Sequence, residues 1–307
     1  MYEYELRHLM TPSCPECGIA CSVGFSTKDL NRGTTSDSFD YCSCRACGLW
    51  FLHPIPKDLG RYYPKDYYTI PASLDELASA LSGVRYKIEI LRAFAKSGRL
   101  LEIGPACGDF ALQAKQAGFE VDTIEMDPRC CEFLVKQVGI RATCTADTLE
   151  ALREAGPYDV IAMWHVIEHL TDALETLAAA SARLKPGGVL VIAAPNPEAF
   201  QFRILRGWWT HVDAPRHVVL IPLSLLCKHA EQRGLETVLA TTDDEGARGW
   251  NQFGWERSLG NIVSGNRLRR WMQRMGRFLT RMAMRWDRQE GRGSTYTVVF
   301  RKTAKIL

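Results

Sequence analysis

Nowhere in this chain of 307 residues do about 18 apolar residues run together, which excludes a membrane-spanning helix of ordinary length. The opening Met-Tyr-Glu-Tyr-Glu-Leu-Arg lacks the apolar core of a secretory leader, so a cytoplasmic protein is expected. Charge of one sign is scarce too. Lys and Arg number 38 against 35 Asp and Glu, and the net +3 is too small by itself to argue for nucleic acid. Internal repeats and low-complexity tracts are not evident. With 46% hydrophobic and 24% charged residues, the chain can bury an ordinary core and has room for a main domain and a smaller one. Cysteine, in contrast, is plentiful. Eleven in a reducing compartment are expected to be free, buried or metal-bound rather than a disulfide framework.

The most informative stretch is 99–127. Leu100 to Ile103 form a short apolar run of buried-strand type, Gly104 and Gly108 break it, and Phe110, Ala111, Ala114 and Ala117 then recur at helical spacing. A strand, a glycine turn and a helix in that order bring backbone close to a ligand. Glu125, 21 positions after Gly104 at the end of the next strand, is placed to accept from two ribose hydroxyls. The Gly-x-Gly-x-x-Gly that brings a pyrophosphate onto a helix N-terminus is missing. The turn reads Gly104-Pro105-Ala106-Cys107-Gly108, and the Asp109 that follows repels phosphate. Glu102 instead suits a cationic ligand carrying an amino group and a sulfonium.

Leu101-Glu102-Ile103-Gly104-x-x-x-Gly108 resembles the first motif of class I S-adenosylmethionine-dependent methyltransferases, and Ile124-Glu125-Met126-Asp127 resembles their second. Where that family usually carries Cys-Gly, Pro105-Ala106 makes a stiffer, more crowded loop. Tyr158 to Met163 reads as a buried strand, Trp164 to Leu170 as the turn at its carboxyl end, and Thr171 to Leu184 as a helix. Lys185-Pro186-Gly187-Gly188 stops that helix, and Val189 to Ala193 starts the next strand. Ligands of open α/β sheets sit at the carboxyl ends of strands, which brings His165, Glu168 and His169 to the site. The strings 165–170 and 184–188, followed by Pro195-Asn196, are similar to the branch that includes ubiquinone-biosynthesis O-methyltransferases and many sugar and natural-product enzymes.

The resemblance implies a Rossmann-like, seven-stranded doubly wound α/β sheet binding S-adenosylmethionine through Glu102, Gly104, Ala106, Gly108, Glu125, Met126, Asp147 and His165. Asp147 matches the acid used toward the adenine amino group. Ubiquinone-type relatives hold a divalent cation with Glu-x-x-Glu-His; His165 stands here in place of the first Glu, so no catalytic metal is expected. Residues 200–222 hold Trp208, Trp209, His211, Asp213, Arg216 and His217 and follow the strand ending at Ala194, so they can close over the site and exclude water. Methyl transfer to a hydroxyl needs a proton acceptor. His169 and His217 are the candidates, with Glu168 or Asp213 as orienting acids, against the alternative that either histidine is structural.

Cys14-Pro15-Glu16-Cys17-Gly18 and Cys44-Arg45-Ala46-Cys47-Gly48 are two C-x-x-C-G knuckles with 26 residues between them. Four thiolates at this spacing predict a structural Zn2+ held by Cys14, Cys17, Cys44 and Cys47, leaving Cys21 and Cys42 spare. The expected organisation is a zinc-ribbon segment over 1–52, a linker and leading helix over 53–84, and a methyltransferase domain over 85–307. Tyr62, Tyr63, Tyr67 and Tyr68 in the linker either wall a substrate pocket or simply pack. An insertion at about 246–292 places Leu268, Trp271, Met272, Met275, Phe278, Leu279, Met282 and Trp286 on one helical face, with arginines along a flank. That helix, over 266–288, could touch a membrane surface peripherally and bring in a lipid-linked acceptor, or could pack on the domain or on a second subunit. Gly276 is expected to weaken it.

The expected function is methyl transfer to a small-molecule acceptor, a sugar or glycan precursor or a related metabolite, at oxygen or carbon. An RNA methyltransferase is the alternative enzyme. The Asn/Asp-Pro-Pro-aromatic motif of base-amino enzymes and the cysteine nucleophile of cytosine-C5 enzymes are both missing after the fourth strand, so no nucleic-acid partner is expected. A non-catalytic binding protein of the same fold is the other alternative, and Pro105-Ala106 is its warrant.

Overall fold

Leu100, Leu101 and Ile103 are buried on both faces of their strand, as the parallel strands at the centre of an α/β sheet must be. The computed structural model describes residues 11–263 and 265–304; the expectation drawn from the first residues lies outside them. Chain order is β1 (Ser22–Lys28), β2 (Ser38–Ser43), β3 (Trp50–Leu52), α1 (Leu74–Ala80), α2 (Arg85–Phe94), β4 (Gly98–Ile103), α3 (Asp109–Gln116), β5 (Phe119–Glu125), α4 (Pro128–Phe133), β6 (Arg141–Cys144), α5 (Thr148–Glu154) and β7 (Tyr158–Trp164). There follow α6 (Ala173–Arg183), β8 (Leu184–Pro195), α7 (Phe200–Leu205), β9 (Val219–Leu220), α8 (Leu223–Glu231), β10 (Leu235–Thr241), α9 (Glu245–Ile262), α10 (Asn266–Asp287) and β11 (Thr295–Lys302).

Seven strands form one sheet in the order β10-β11-β8-β7-β4-β5-β6. β4 to β8 run parallel, and β11 inserts antiparallel between β8 and β10. This is the expected doubly wound sheet. One face is packed by α2, α3 and α4 through Leu91, Phe110 and Phe133; the other by α5, α6 and α8 through Leu152, Leu177 and Leu226. Lys185–Gly188, expected as a stop, lies instead inside β8, where the pairing with β7 slips between Tyr158 and Val160.

The ribbon is not a separate unit. β3 pairs with β9, a strand of the 196–222 segment, so the small sheet β1-β2-β3-β9 joins the N-terminal segment to the cover of the larger sheet. Tyr41, Phe51 and Leu52 share one apolar core with Phe202, Trp209 and Val218, and through them with the sheet. So short a piece buries its apolar side chains only against a larger neighbour.

Arg216, fully buried, ties the two parts together. Its Nε and Nη2 donate to Asp213 (2.9 and 2.8 Å), Nη1 and Nη2 donate to Asp29 (3.2 and 2.6 Å), and Nη1 also donates to the Tyr62 carbonyl (3.2 Å). Burial works against both carboxylates, yet the guanidinium more than offsets it and holds Asp29 and Asp213 below the usual range.

The insertion folds as a hairpin of α9 and α10. Gly276 does not act as a weak point in it: a Cβ there would come within 2.6 Å of the Glu256 Cα, so glycine is what permits the two backbones to approach.

Removing one partner of this buried node is expected to cost about 3 kcal/mol or more, so Asp29→Ala should lower the urea midpoint accordingly. Carboxyls whose folded pKa is depressed stabilise the fold above their unfolded value of about 3.9, and that contribution is lost as pH falls further. Wild-type stability should therefore drop below about pH 4, and less steeply in Asp29→Asn; equal acid sensitivity of the two would contradict the assignment.

Candidate functional site

The turn after β4 needs left-handed backbone at three positions, Gly104 (φ 66°), Ala106 (φ 51°) and Gly108 (φ 87°). Ala106 takes this conformation at a cost of about 1–2 kcal/mol. Its N–H donates to Glu125 Oε2 (2.9 Å), while Met126 and Asp127 N–H donate to Oε1 (2.7 and 2.9 Å). A carboxylate accepts at about four lone-pair sites, so Oε2 retains capacity for a hydroxyl. Glu102 is buried behind this turn. Desolvation pushes its carboxyl up to about 8 despite the nearby Lys87 ammonium, and its Oε2 has no hydrogen-bond partner among the described residues. An amino group of a ligand would answer that need. Met126 is exposed beside the acid. Asp147 accepts from the Glu150 N–H (2.9 Å) as N-cap of α5 and is exposed at the carboxyl end of β6.

The second half of the site lies past the end of β7. Glu168 is buried in a short helical turn, and among the described residues neither of its oxygens has a hydrogen-bond partner. His165 Nδ1 stands 3.7 Å and His217 Nε2 4.0 Å from Glu168 Oε1. Burial opposes the charge of Glu168, but these imidazoles and His169 outweigh it and hold the carboxyl below its ordinary value. His217 Nδ1 lies 2.8 Å from the His211 carbonyl, which can only accept, so Nδ1 carries a proton and Nε2 is the ring nitrogen that faces Glu168. His169 Nδ1 meets the Arg216 carbonyl (3.1 Å) and the Tyr63 hydroxyl (3.0 Å). Burial, followed by the neighbouring His217, lowers His169 to about 4. The two rings meet edge to face with centroids 4.5 Å apart. Donor atoms of Glu168, His169 and His217 lie within 4.8 Å of one another.

At the ribbon, the four sulfurs of Cys14, Cys17, Cys44 and Cys47 converge within the same limit, with Cys14 to Cys47 at 3.6 Å and Cys17 to Cys44 at 3.4 Å. Each knuckle closes by a backbone bond, Gly18 N–H to Cys14 and Gly48 N–H to Cys44 (both 2.9 Å), with both glycines at positive φ.

The sequence profile of the family described as Methyltransferase domain matches residues 81–240, just over half of the chain. The chain belongs to that family. Ubiquinone biosynthesis O-methyltransferase of Cereibacter sphaeroides (strain ATCC 17029 / ATH 2.4.9) is 32% identical over 117 residues, 36% of this chain and 47% of that protein. The protein of the same name from Bordetella avium (strain 197N) is 28% identical over 160 residues, 48% of this chain and 66% of its own length. The chain thus spans about half the length of the Cereibacter relative. Geranyl diphosphate C-methyltransferase from Streptomyces coelicolor A3(2) superposes with a TM-score of 0.51 at 12% identity, covering 75% of this chain and 80% of the other, which shows a shared fold.

In this methyltransferase-domain protein, Glu102, the Gly104–Gly108 turn, Glu125 and Met126 gather at the ends of β4 and β5. His165, expected on the cofactor side, packs against Trp250 of α9 (centroids 4.9 Å) and faces Glu168. Among the described residues, the Asp213 carboxylate makes no hydrogen bond to either histidine. Its carboxylate is taken by Arg216 and by Asn31 (2.6 Å), because the guanidinium geometry needs both of its oxygens. Sequence reasoning missed Asp29 and Trp250, and left Tyr63 undecided. Tyr63 could have been favoured from its place in a tyrosine cluster; Asp29 sits in an ordinary turn sequence and carries no such signal.

Proposed function

We propose that this chain transfers a methyl group from S-adenosylmethionine to a hydroxyl of a small-molecule acceptor, a sugar or glycan precursor or a related ring-bearing metabolite. The observation that carries this is the pairing, across one strand end, of a ribose-type acid with a buried carboxylate that has no hydrogen-bond partner among the described residues and faces two imidazoles. S-adenosylmethionine supplies an electrophilic methyl on a sulfonium. The Gly104–Gly108 turn, Glu125, Met126 and Asp147 would hold its adenosine end, and Glu102 its amino group. His217 Nε2 takes the acceptor proton, and Glu168 stabilises the imidazolium that results. His169 is a weaker base, since its lowered pKa leaves little driving force for taking a proton, and it positions Arg216 and Tyr63. The 196–222 cover excludes water while the acceptor is aligned.

Glu125→Ala should weaken S-adenosylmethionine binding by about 2 kcal/mol through loss of charge-assisted hydrogen bonds, read by calorimetric titration. A folded wild type that binds neither this ligand nor its demethylated product would end the methyltransferase reading.

His217→Ala should lower turnover about 100-fold or more with cofactor affinity nearly unchanged, whereas His169→Ala should lose stability together with rate. Acceptors are found by mass spectrometry of extracts incubated with labelled S-adenosylmethionine. The same three donors could instead hold a divalent cation. Turnover that survives chelation favours the base; turnover abolished by chelation and restored by an added divalent ion favours the cation.

We also infer one structural zinc at Cys14, Cys17, Cys44 and Cys47. Sulfurs around a tetrahedral zinc with bonds of about 2.3 Å stand about 3.8 Å apart, close to the spacings seen. Elemental analysis should give one zinc per chain. Because β3 pairs with β9, Cys44→Ser should lose the metal and lower the melting temperature of the whole protein in one transition; a separate early transition with the sheet domain unaffected would contradict this.

A further inference from the structure

Helix α10 carries two exposed stripes side by side. Leu268, Trp271, Met275, Phe278, Met282 and Trp286 recur at helical spacing, and although all are apolar they stand 36–58% exposed. Next to them around the helix run Arg267, Arg270, Arg274, Arg277, Arg281 and Arg285, exposed as well. Among the described residues only Arg277 of these meets a carboxylate, Glu256 at 3.7 Å. The helix holds one acid, Asp287, which is buried and accepts from Trp255 Nε1 (2.8 Å). Its remaining face, with Gly276 and Ala283, is closed against the rest of the protein.

We propose that this face docks on an anionic membrane surface, with α10 lying in the plane of the interface. The apolar stripe enters the boundary between headgroups and acyl chains, and the arginine stripe meets lipid phosphates. Three observations favour that occupant. The two stripes are adjacent rather than interleaved, so both can be satisfied by a medium that is apolar below and anionic above. Tryptophans near both ends of the stripe, Trp271 and Trp286, have the amphipathic rings that settle at such a boundary. A second copy seated on the stripe by two-fold symmetry would bring arginine rows together with no exposed acid on α10 to meet them. No described helix is long and apolar enough to cross a membrane, so the contact is one of surface. Docking does not depend on the methyltransferase reading. If that reading also holds, the hairpin has a functional geometry, since α9 puts Trp250 against His165 while α10 stacks Trp286 on Phe200 of the site cover (centroids 5.8 Å).

The test is sedimentation of the full chain with vesicles of equal parts phosphatidylglycerol and phosphatidylcholine, compared with phosphatidylcholine alone. Binding to the anionic vesicles should be about tenfold stronger or more, and should weaken as salt is raised. Trp271→Glu/Phe278→Glu and, separately, Arg274→Glu/Arg281→Glu should each reduce it about tenfold, with circular dichroism and urea midpoint unchanged. Equal partition onto both vesicles, partition onto neither, or variants that bind like the wild type would overturn the proposal. So would a wild-type dimer in sedimentation equilibrium that Trp271→Glu/Phe278→Glu converts to monomer, because a second copy would then cover the stripe.

Discussion

The five N–H groups of the Arg216 guanidinium bind the ribbon, the linker and the site cover at one buried point. Taking a cation out of water is costly, and the cost is offset only where every donor finds an acceptor in good geometry. Here all five do, on Asp29 from the end of β1, Asp213 from the cover and the Tyr62 carbonyl from the linker. The planar fork fixes directions as well as distances, so the three segments are set in one mutual arrangement. Chemistry depends on that arrangement. His217 follows Arg216 in the chain, and the Arg216 carbonyl lies against His169 Nδ1. The N-terminal segment therefore braces the proposed base, and the proposed zinc would bear on catalysis through it without contact with a substrate.

What could be read in the sequence follows from how local the information is. β4, its glycine turn and Glu125 are legible because apolar periodicity, a forced left-handed turn and an acid at a strand end all lie within thirty residues. The carboxyl-end rule likewise placed Glu168 and His169. The β3–β9 pairing was not legible. Its strands are three and two residues long and more than 160 positions apart, and no local pattern marks so short a pair. Asp29 was hidden for the opposite reason: Asp-Leu-Asn-Arg-Gly reads as an ordinary turn, and Asp29 does accept the Arg32 and Thr34 N–H groups as turn residues do. Its second function, toward Arg216 at 187 positions' separation, exists only in the folded chain.

The insertion shows how a pattern can be right about a face and silent about its partner. Helical periodicity identified the apolar stripe of α10, and hydrophobicity alone would turn that stripe inward. The contact with α9 is made instead around Gly276, because backbones of two helices approach most closely where side chains are smallest. Packing by close approach left the larger side chains outside.

The relation of Glu168 to the two histidines bears on why such a costly carboxylate is kept. Burial alone would push its carboxyl up, and the neighbouring imidazoles outweigh that. His169 is itself lowered to about 4 by burial, which makes it a poor proton acceptor. His217 bonds the His211 carbonyl through Nδ1, and its Nε2 stands 4.0 Å from Glu168. On the proposed assignment, the acceptor proton arriving at Nε2 places a positive charge beside Glu168 while the methyl group is transferred. Such an interaction lowers the barrier by the amount it strengthens between ground and transition state, and the charge that develops on His217 supplies that increase.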